Sequence, residues 1–294
     1  MVSICSVTYN HAPYIRECLD GFLMQKTNFR FEVIINDDCS TDGTTEILRE
    51  YEAKYPDIIK PVYHKENQWS KGVGNFTTFV YPKAQGKYIA ICEGDDYWTD
   101  PMKLQKQYDY LEANSEIVYS CHRYSTLIDS TGVINIQPNI FFDKNPDSEN
   151  FIFDKKYMYE KKDWITKTLT CMFRKSTLDY SFLKRFKYSR DVHLVYSILS
   201  QGKGVCHSFN GATYRLNENS TFGGHSAQER IRQNYCVYKE LYEQTKDSIF
   251  EPIVIRNYSS LIKHSFMAYF PPKNRIEWKA FCLLPLNLIK SLKK

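Results

Sequence analysis

YIAICEGDDYW, residues 88–98, turns from apolar to acidic within a few positions. Tyr88 to Cys92 read as a buried strand, and Glu93, Asp95 and Asp96 stand at its mouth, followed by Tyr97 and Trp98. Like charges about 4 Å apart repel by roughly 4 kcal/mol at an effective dielectric near 20. Such a cluster is stable when a cation sits in it, and oxygen-only ligands favour Mg²⁺ or Mn²⁺. These acids are too few to fill an octahedral shell, which leaves positions for phosphate oxygens. The competing reading is that they cap the next helix and face solvent.

Upstream, strands and helices alternate. VSICSVTYN reads as a strand, APYIRECLDGFLMQ as a helix and FEVIIN as a second strand. In DDCSTDGTTEILREYEAKYP, Ser40 to Asp42 offer caps and Pro56 a stop. IIKPVYH is a weaker third strand, NFTTFVYPKA a poor helix and KYIAIC the fourth strand. TDPMKLQKQYDYLEA is a good helix, capped by Thr99 or Asp100 with Pro101 near its first turn. The alternation predicts an α/β fold, with a mostly parallel central sheet and helices on both faces. Ligands of such sheets bind beyond the carboxyl ends of the strands. Thr8 to Asn10, Asp37 with Asp38, and Glu93 to Asp96 all fall at such ends.

Beyond residue 115 the pattern loosens. EIVYSCHRYSTLID reads as a strand, STGVINIQPN as turn and loop, and FFDKNPDSEN as a polar insert. WITKTLTCMFRKSTL mixes strand and turn, and SRDVHLVYSILSQGKG is helical with Gly202 as its stop. From about Ser226 the chain is mostly helical. In RIEWKAFCLLPLNLIKSLKK, apolar residues share one side and Lys279, Lys290, Lys293 and Lys294 add charge. This tail suits either an anionic membrane surface or its own domain.

The 294 residues, 43% hydrophobic and 25% charged, can bury a core. A net charge of +5 without a dense basic stripe gives no case for nucleic acid. Nine cysteines, an odd number without CxxC, suit reduced buried thiols in a cytoplasmic protein. Because a strand-like run follows Met1 almost directly, no signal peptide is expected, and no apolar run reaches the roughly 20 residues that span a bilayer. No G-x-G-x-x-G follows a strand, which disfavours a dinucleotide-dependent oxidoreductase.

ICEGDDYWTDPMKLQKQ resembles the acidic motif of family 2 glycosyltransferases, SVTYNHAPYIRECLDGFLMQ their opening strand and helix, and FEVIINDDCSTDGT their second signature. The likeness is strong over residues 1 to about 112, moderate to about 224 and absent beyond. It implies a GT-A, Rossmann-like fold with a nucleotide-sugar-binding half at 1–112, an acceptor-binding half at 113–225 and a helical C-terminal extension at 226–294. By position, Tyr9 would stack at the base, Asp38 would bond it and Val7 would offer backbone groups. Asn75 matches a family Asn. Asp95 would meet ribose or metal, Asp96 would be the main metal ligand, and Glu93 stands where the family has Asp. Arg215 would meet phosphate and Asp191 would be the catalytic base. His193 reads as structural or solvent-facing. Asn217 replaces a frequent metal-binding His, and His225 is a candidate substitute.

The implied activity is inverting, Mn²⁺- or Mg²⁺-dependent transfer of one sugar from a nucleotide-sugar, a UDP-sugar, to a glycan or lipid-linked saccharide acceptor. The setting is cell-surface polysaccharide assembly, in the cytoplasm or peripheral at the inner face of the membrane. A processive synthase is disfavoured, because spanning helices and Q-x-x-R-W are absent. The alternative is a non-catalytic nucleotide-sugar-binding or interaction protein on a decayed transferase fold.

Overall fold

The computed structural model describes residues 1–160, 165–186, 190–216, 226–264 and 275–282. They form two compact units, one of residues 1–158 and 163–216, the other of residues 159–162 and 217–294. The first holds a mixed sheet. Its strands are β1 (Val2–Thr8), β2 (Phe31–Asp37), β3 (Ile59–Tyr63), β4 (Tyr88–Ile91), β5 (Tyr97–Trp98), β6 (Ile117–Ile128), β7 (Val133–Ile136), β8 (Asn150–Phe153), β9 (Met172–Arg174) and β10 (Lys203–Leu216). The order is β3-β2-β1-β4-β9-β6-β10-β5, with β7 on β6 and β8 on β10. The long ladders, β3 to β4 and β6 with β10, are parallel. β9 runs antiparallel between β4 and β6 and so joins the two parallel halves.

Helices α1 (Ile15–Leu23), α2 (Thr44–Lys54) and α3 (Lys103–Ala113) connect the first strands. Their apolar stripes, including Leu19, Phe22, Leu48, Leu104 and Leu111, join Val2, Ile4, Val33 and Tyr88 in one core. Each such side chain contributes about 1.5–3 kcal/mol on burial. That gain fixes the register that brings the polar strand ends to one edge. Two residues beyond the ends of β1 and β2 stand the left-handed residues Asn10 (φ 54°) and Cys39 (φ 68°), a conformation that non-glycine residues adopt rarely.

Several expectations needed correction. STGVINIQPN contains β7, a strand exposed along its whole length that pairs with β6 by backbone bonds and carries no buried face. FFDKNPDSEN lies between α4 (Ile140–Lys144) and β8 and contributes to both. Phe76–Val80 and Tyr81–Lys83 form two short helical turns in place of one helix. Gly43 occupies the cap position of α2, and the Asp42 carboxylate, one of the expected caps, accepts Thr44 N at 3.0 Å. Short helices α5 (Lys155–Glu160) and α6 (Tyr180–Leu183) precede α7 (Asp191–Leu199). α7 ends at Ser200, whose hydroxyl donates to Tyr196 O at 2.8 Å, two residues before the expected glycine stop.

Lys103 is fully buried on α3, and its ammonium donates to Gln107 Oε1 at 2.8 Å and lies 4.1 Å from the Trp98 ring centroid. Burial lowers its pKa to about 8. Seven of the cysteines described are free and at least partly buried, whereas Cys236 is exposed. The second unit contains α8 (Ala227–Thr245), α9 (Glu251–His264) and α10 (Arg275–Cys282) around Tyr235, Val254, Tyr258, Leu261 and Ile276. The start of the tail is thus buried within this unit at Ile276 and Glu277. The remainder of the tail, 283–294, lies outside the described residues, as do Asn217 and His225. No described helix is long and apolar enough to cross a membrane.

Candidate active site

The acidic turn 93–96 joins β4 to β5 at the carboxyl end of the first parallel half. Gly94 is required by packing, since a Cβ there would fall 2.6 Å from Thr8 Oγ1 and 3.0 Å from His11 Nδ1. The turn therefore sits directly on the end of β1, and Gly94 N donates to Val7 O at 3.0 Å. One carboxylate oxygen each from Glu93, Asp95 and Asp96 lie within 4.8 Å of one another. α3 begins only at Lys103, so these acids are not its caps.

Asp96 is 1% exposed, and its Oδ1 accepts the Arg215 backbone N–H at 2.8 Å. Its Oδ2 is buried without a hydrogen-bond partner. Burial, then the charge of Asp95, raises the Asp96 pKa well above the usual range. Burial also pushes Glu93 up to about 8, with Asp95 and Asp191 adding to the shift and Lys167 opposing it. An orphaned oxygen beside two further carboxylates is the donor set of a hard divalent cation, and these residues fit one.

Asp191 opens α7, with Arg190 at the cap position, and its Oδ1 accepts the Val192 N–H at 2.8 Å. Its charge reaches Glu93. His193 is buried, and its Nδ1 accepts the Arg190 N–H at 3.0 Å. Burial lowers its pKa to about 3, so it is a neutral structural group.

Tyr9 is 46% exposed at the end of β1. Asp38 is buried, and its carboxylate accepts Gln68 N at 2.6 Å, Trp69 N at 3.0 Å and Asn75 Nδ2 at 3.0 Å. Asp38 and Asn75 are thus brought together, and Asn75 Oδ1 is left buried and unpartnered. Arg215 is placed differently from a free phosphate ligand. Its Nη1 meets Asp129 at 2.9 Å, its Nη2 meets Glu17, and its Nε donates to Asp95 O at 3.0 Å.

Two groups escaped sequence reasoning. His11 is tucked under the acidic turn with Nδ1 buried and unpartnered, and burial lowers its pKa against the pull of Asp95, Asp42 and Asp37. Lys167, just before the turn that leads into β9, acts through its charge to lower the pKa of Glu93 and Asp96. The only sequence signal for His11 is its place after Thr8-Tyr9-Asn10, and a lysine in a Thr-rich stretch carries none.

The fold, a mixed sheet with two parallel halves and an acidic turn at its carboxyl rim, is of GT-A type. The chain belongs to glycosyl transferase family 2, whose profile matches residues 3–179. A Bacillus subtilis protein named as a putative teichuronic acid biosynthesis glycosyltransferase, TuaG, is 37% identical over 115 residues, covering 39% of this chain and 43% of the relative. The chain spans less than half the length of the curated relatives it matches first, down to 34%. Staphylococcus aureus TarS residues 1–349 in complex with UDP-GlcNAc is similar in fold, with TM-score 0.65, 18% identity and coverage of 99% of this chain and 83% of that one. The mannosyltransferase PcManGT from Pyrobaculum calidifontis, in complex with GDP-Man and Mn²⁺, gives TM-score 0.58, 17% identity and coverage of 99% and 78%.

Proposed function

We propose that the chain is an inverting, divalent-cation-dependent glycosyltransferase that moves one sugar from a UDP-sugar to a hydroxyl of a glycan or lipid-linked saccharide. The observation that carries this reading is the convergence of Glu93, Asp95 and Asp96 on one point, with the second oxygen of Asp96 buried and unpartnered. Those three carboxylates would hold Mn²⁺ or Mg²⁺. When bound, the cation offsets the negative charge that grows on the departing diphosphate.

The open face of Tyr9 stacks on the base, which adds about 1–3 kcal/mol at comparable sites. Asp38 and Asn75 meet the base edge, and the backbone of Val7 borders it. Asp191 takes the proton of the acceptor hydroxyl as its oxygen attacks the anomeric carbon. The bond to the diphosphate breaks on the opposite face, so the anomeric centre inverts and UDP departs. The likeness to the UDP-GlcNAc-bound TarS fold supports the donor class, and the name of TuaG supports a role in cell-surface polysaccharide assembly. The basic composition of the tail is compatible with an acceptor met at an anionic membrane surface, and equally with packing on its own domain.

The test is hydrolysis and transfer with a panel of nucleotide-sugars, with and without Mn²⁺. Cation-dependent release of UDP, lost in Asp191→Ala while UDP still binds, supports the reading. UDP binding without any turnover on the panel in the parent chain favours a binding module.

A further inference from the structure

Lys167 stands just before the short turn Thr168–Thr170. Three elements fix this turn. Trp98 Nε1 donates to Leu169 O at 2.8 Å, Gln107 Nε2 donates to Thr170 O at 3.0 Å, and the Tyr119 hydroxyl bonds Thr166 Oγ1 at 2.7 Å. Thr170 Oγ1 closes the turn on Lys167 O at 2.8 Å. The lysine backbone is therefore held rigidly by β5, α3 and β6. Its ammonium lies 4.6 Å from the Tyr214 ring centroid on β10. Among the described residues no carboxylate forms an ion pair with it, yet its charge is felt at both Glu93 and Asp96.

The charge balance at the rim gives this cation a task. Three ionised carboxylates outweigh one divalent cation, so a rim loaded with metal still carries net negative charge and repels a diphosphate. Arg215 cannot relieve this in its present arrangement, since Glu17 and Asp129 already occupy its guanidinium. Lys167 is half-buried on a fixed turn, and its ammonium lies over Tyr214, the neighbour of Arg215, whose backbone N–H bonds Asp96.

We propose that Lys167 binds the diphosphate of the nucleotide donor and supplies the positive charge that Arg215 does not. This assignment rests on the functional reading above. The ammonium exchanges the π face of Tyr214 for a phosphate oxygen, a charge-assisted hydrogen bond in a partly dry site.

Calorimetric titration of the full chain in Mn²⁺, with UDP and with uridine, tests it. Lys167→Gln is expected to weaken UDP binding roughly tenfold or more, the loss of one charged hydrogen bond, and to leave uridine binding unchanged. Lys167→Met keeps the stem over Tyr214 and is expected to match Lys167→Gln, whereas Lys167→Arg retains most UDP affinity. Unchanged UDP affinity in Lys167→Gln and Lys167→Met, or an equal loss for UDP and uridine, overturns the proposal alone. Failure of the parent chain to bind UDP overturns the functional reading with it.

Discussion

Two buried carboxylates at opposite ends of the same parallel strands behave in opposite ways. Glu32, near the start of β2, is 2% exposed and accepts Ser3 Oγ at 2.7 Å, Gln85 N at 2.8 Å and Lys60 Nζ at 2.9 Å. Its burial acts to raise its pKa, but the bonds from Ser3, Lys60 and Gln85 outweigh that, and the net shift is downward. Asp96, past the end of β4, is as deeply buried, keeps one orphaned oxygen and shifts upward. The amino end of the sheet is satisfied internally and serves the fold. The carboxyl end is left incomplete and waits for groups from outside.

Asp191→Ala gives the largest expected effect on this contrast. Transfer should fall by roughly 10²–10⁴-fold, the usual share of a general base, while UDP affinity and melting temperature hold. Equal losses of turnover and UDP binding would place Asp191 in the donor pocket instead.

Asp96→Asn should lower Mn²⁺ affinity by at least the roughly 10–100-fold that partners outside the coordination shell already supply. It should leave the melting temperature without metal close to that of the parent, because the upward shift of Asp96 favours the neutral acid that Asn mimics, and Asn keeps the acceptor for the Arg215 N–H. Glu32→Ala should do the reverse. It strands the buried Ser3 hydroxyl and Gln85 N–H, so chemical denaturation should show about 1–3 kcal/mol of lost stability with Mn²⁺ affinity unchanged. If both substitutions destabilise alike, the two ends do not differ in the way described.

The remaining expected effect is a pH dependence. Glu93 has its folded pKa raised to about 8 from an ordinary 4.5. The folded state therefore holds a proton that the unfolded state releases between those values, and stability without metal falls as pH rises through that window. Below pH 4.5 this contribution is fully present. Mn²⁺ should therefore raise the melting temperature more at pH 8 than at pH 5, and Glu93→Gln should flatten the difference. Thermal shift measurements across this range check it.

The parallel half was legible because burial writes itself into sequence. Ile34, Ile35 and Ile89 lie in continuous apolar runs, and their polar ends mark the rim. β7 was not legible, since it is held by backbone pairing and presents Val133, Ile134 and Ile136 to solvent. The acidic turn announced itself by composition. Its depth did not, because the burial of Asp96 arises from β10, more than a hundred residues away in sequence. Lys167 was invisible for the same reason, as its neighbours come from Trp98, Gln107, Tyr119 and Tyr214. Arg215 was noticed as a cation, but its partners Glu17 and Asp129 could not be read from spacing.

Asp38 holds three donors from the segment 68–75 on its two oxygens. A carboxylate has about four acceptor positions, so roughly one is open to a visiting N–H. Whatever enters there joins an existing knot and tightens the segment that carries Trp69 and Asn75. Discrimination between bases would then depend on how well that loop tolerates the newcomer, and substitutions within 67–75 would alter donor preference without touching any acid of the rim.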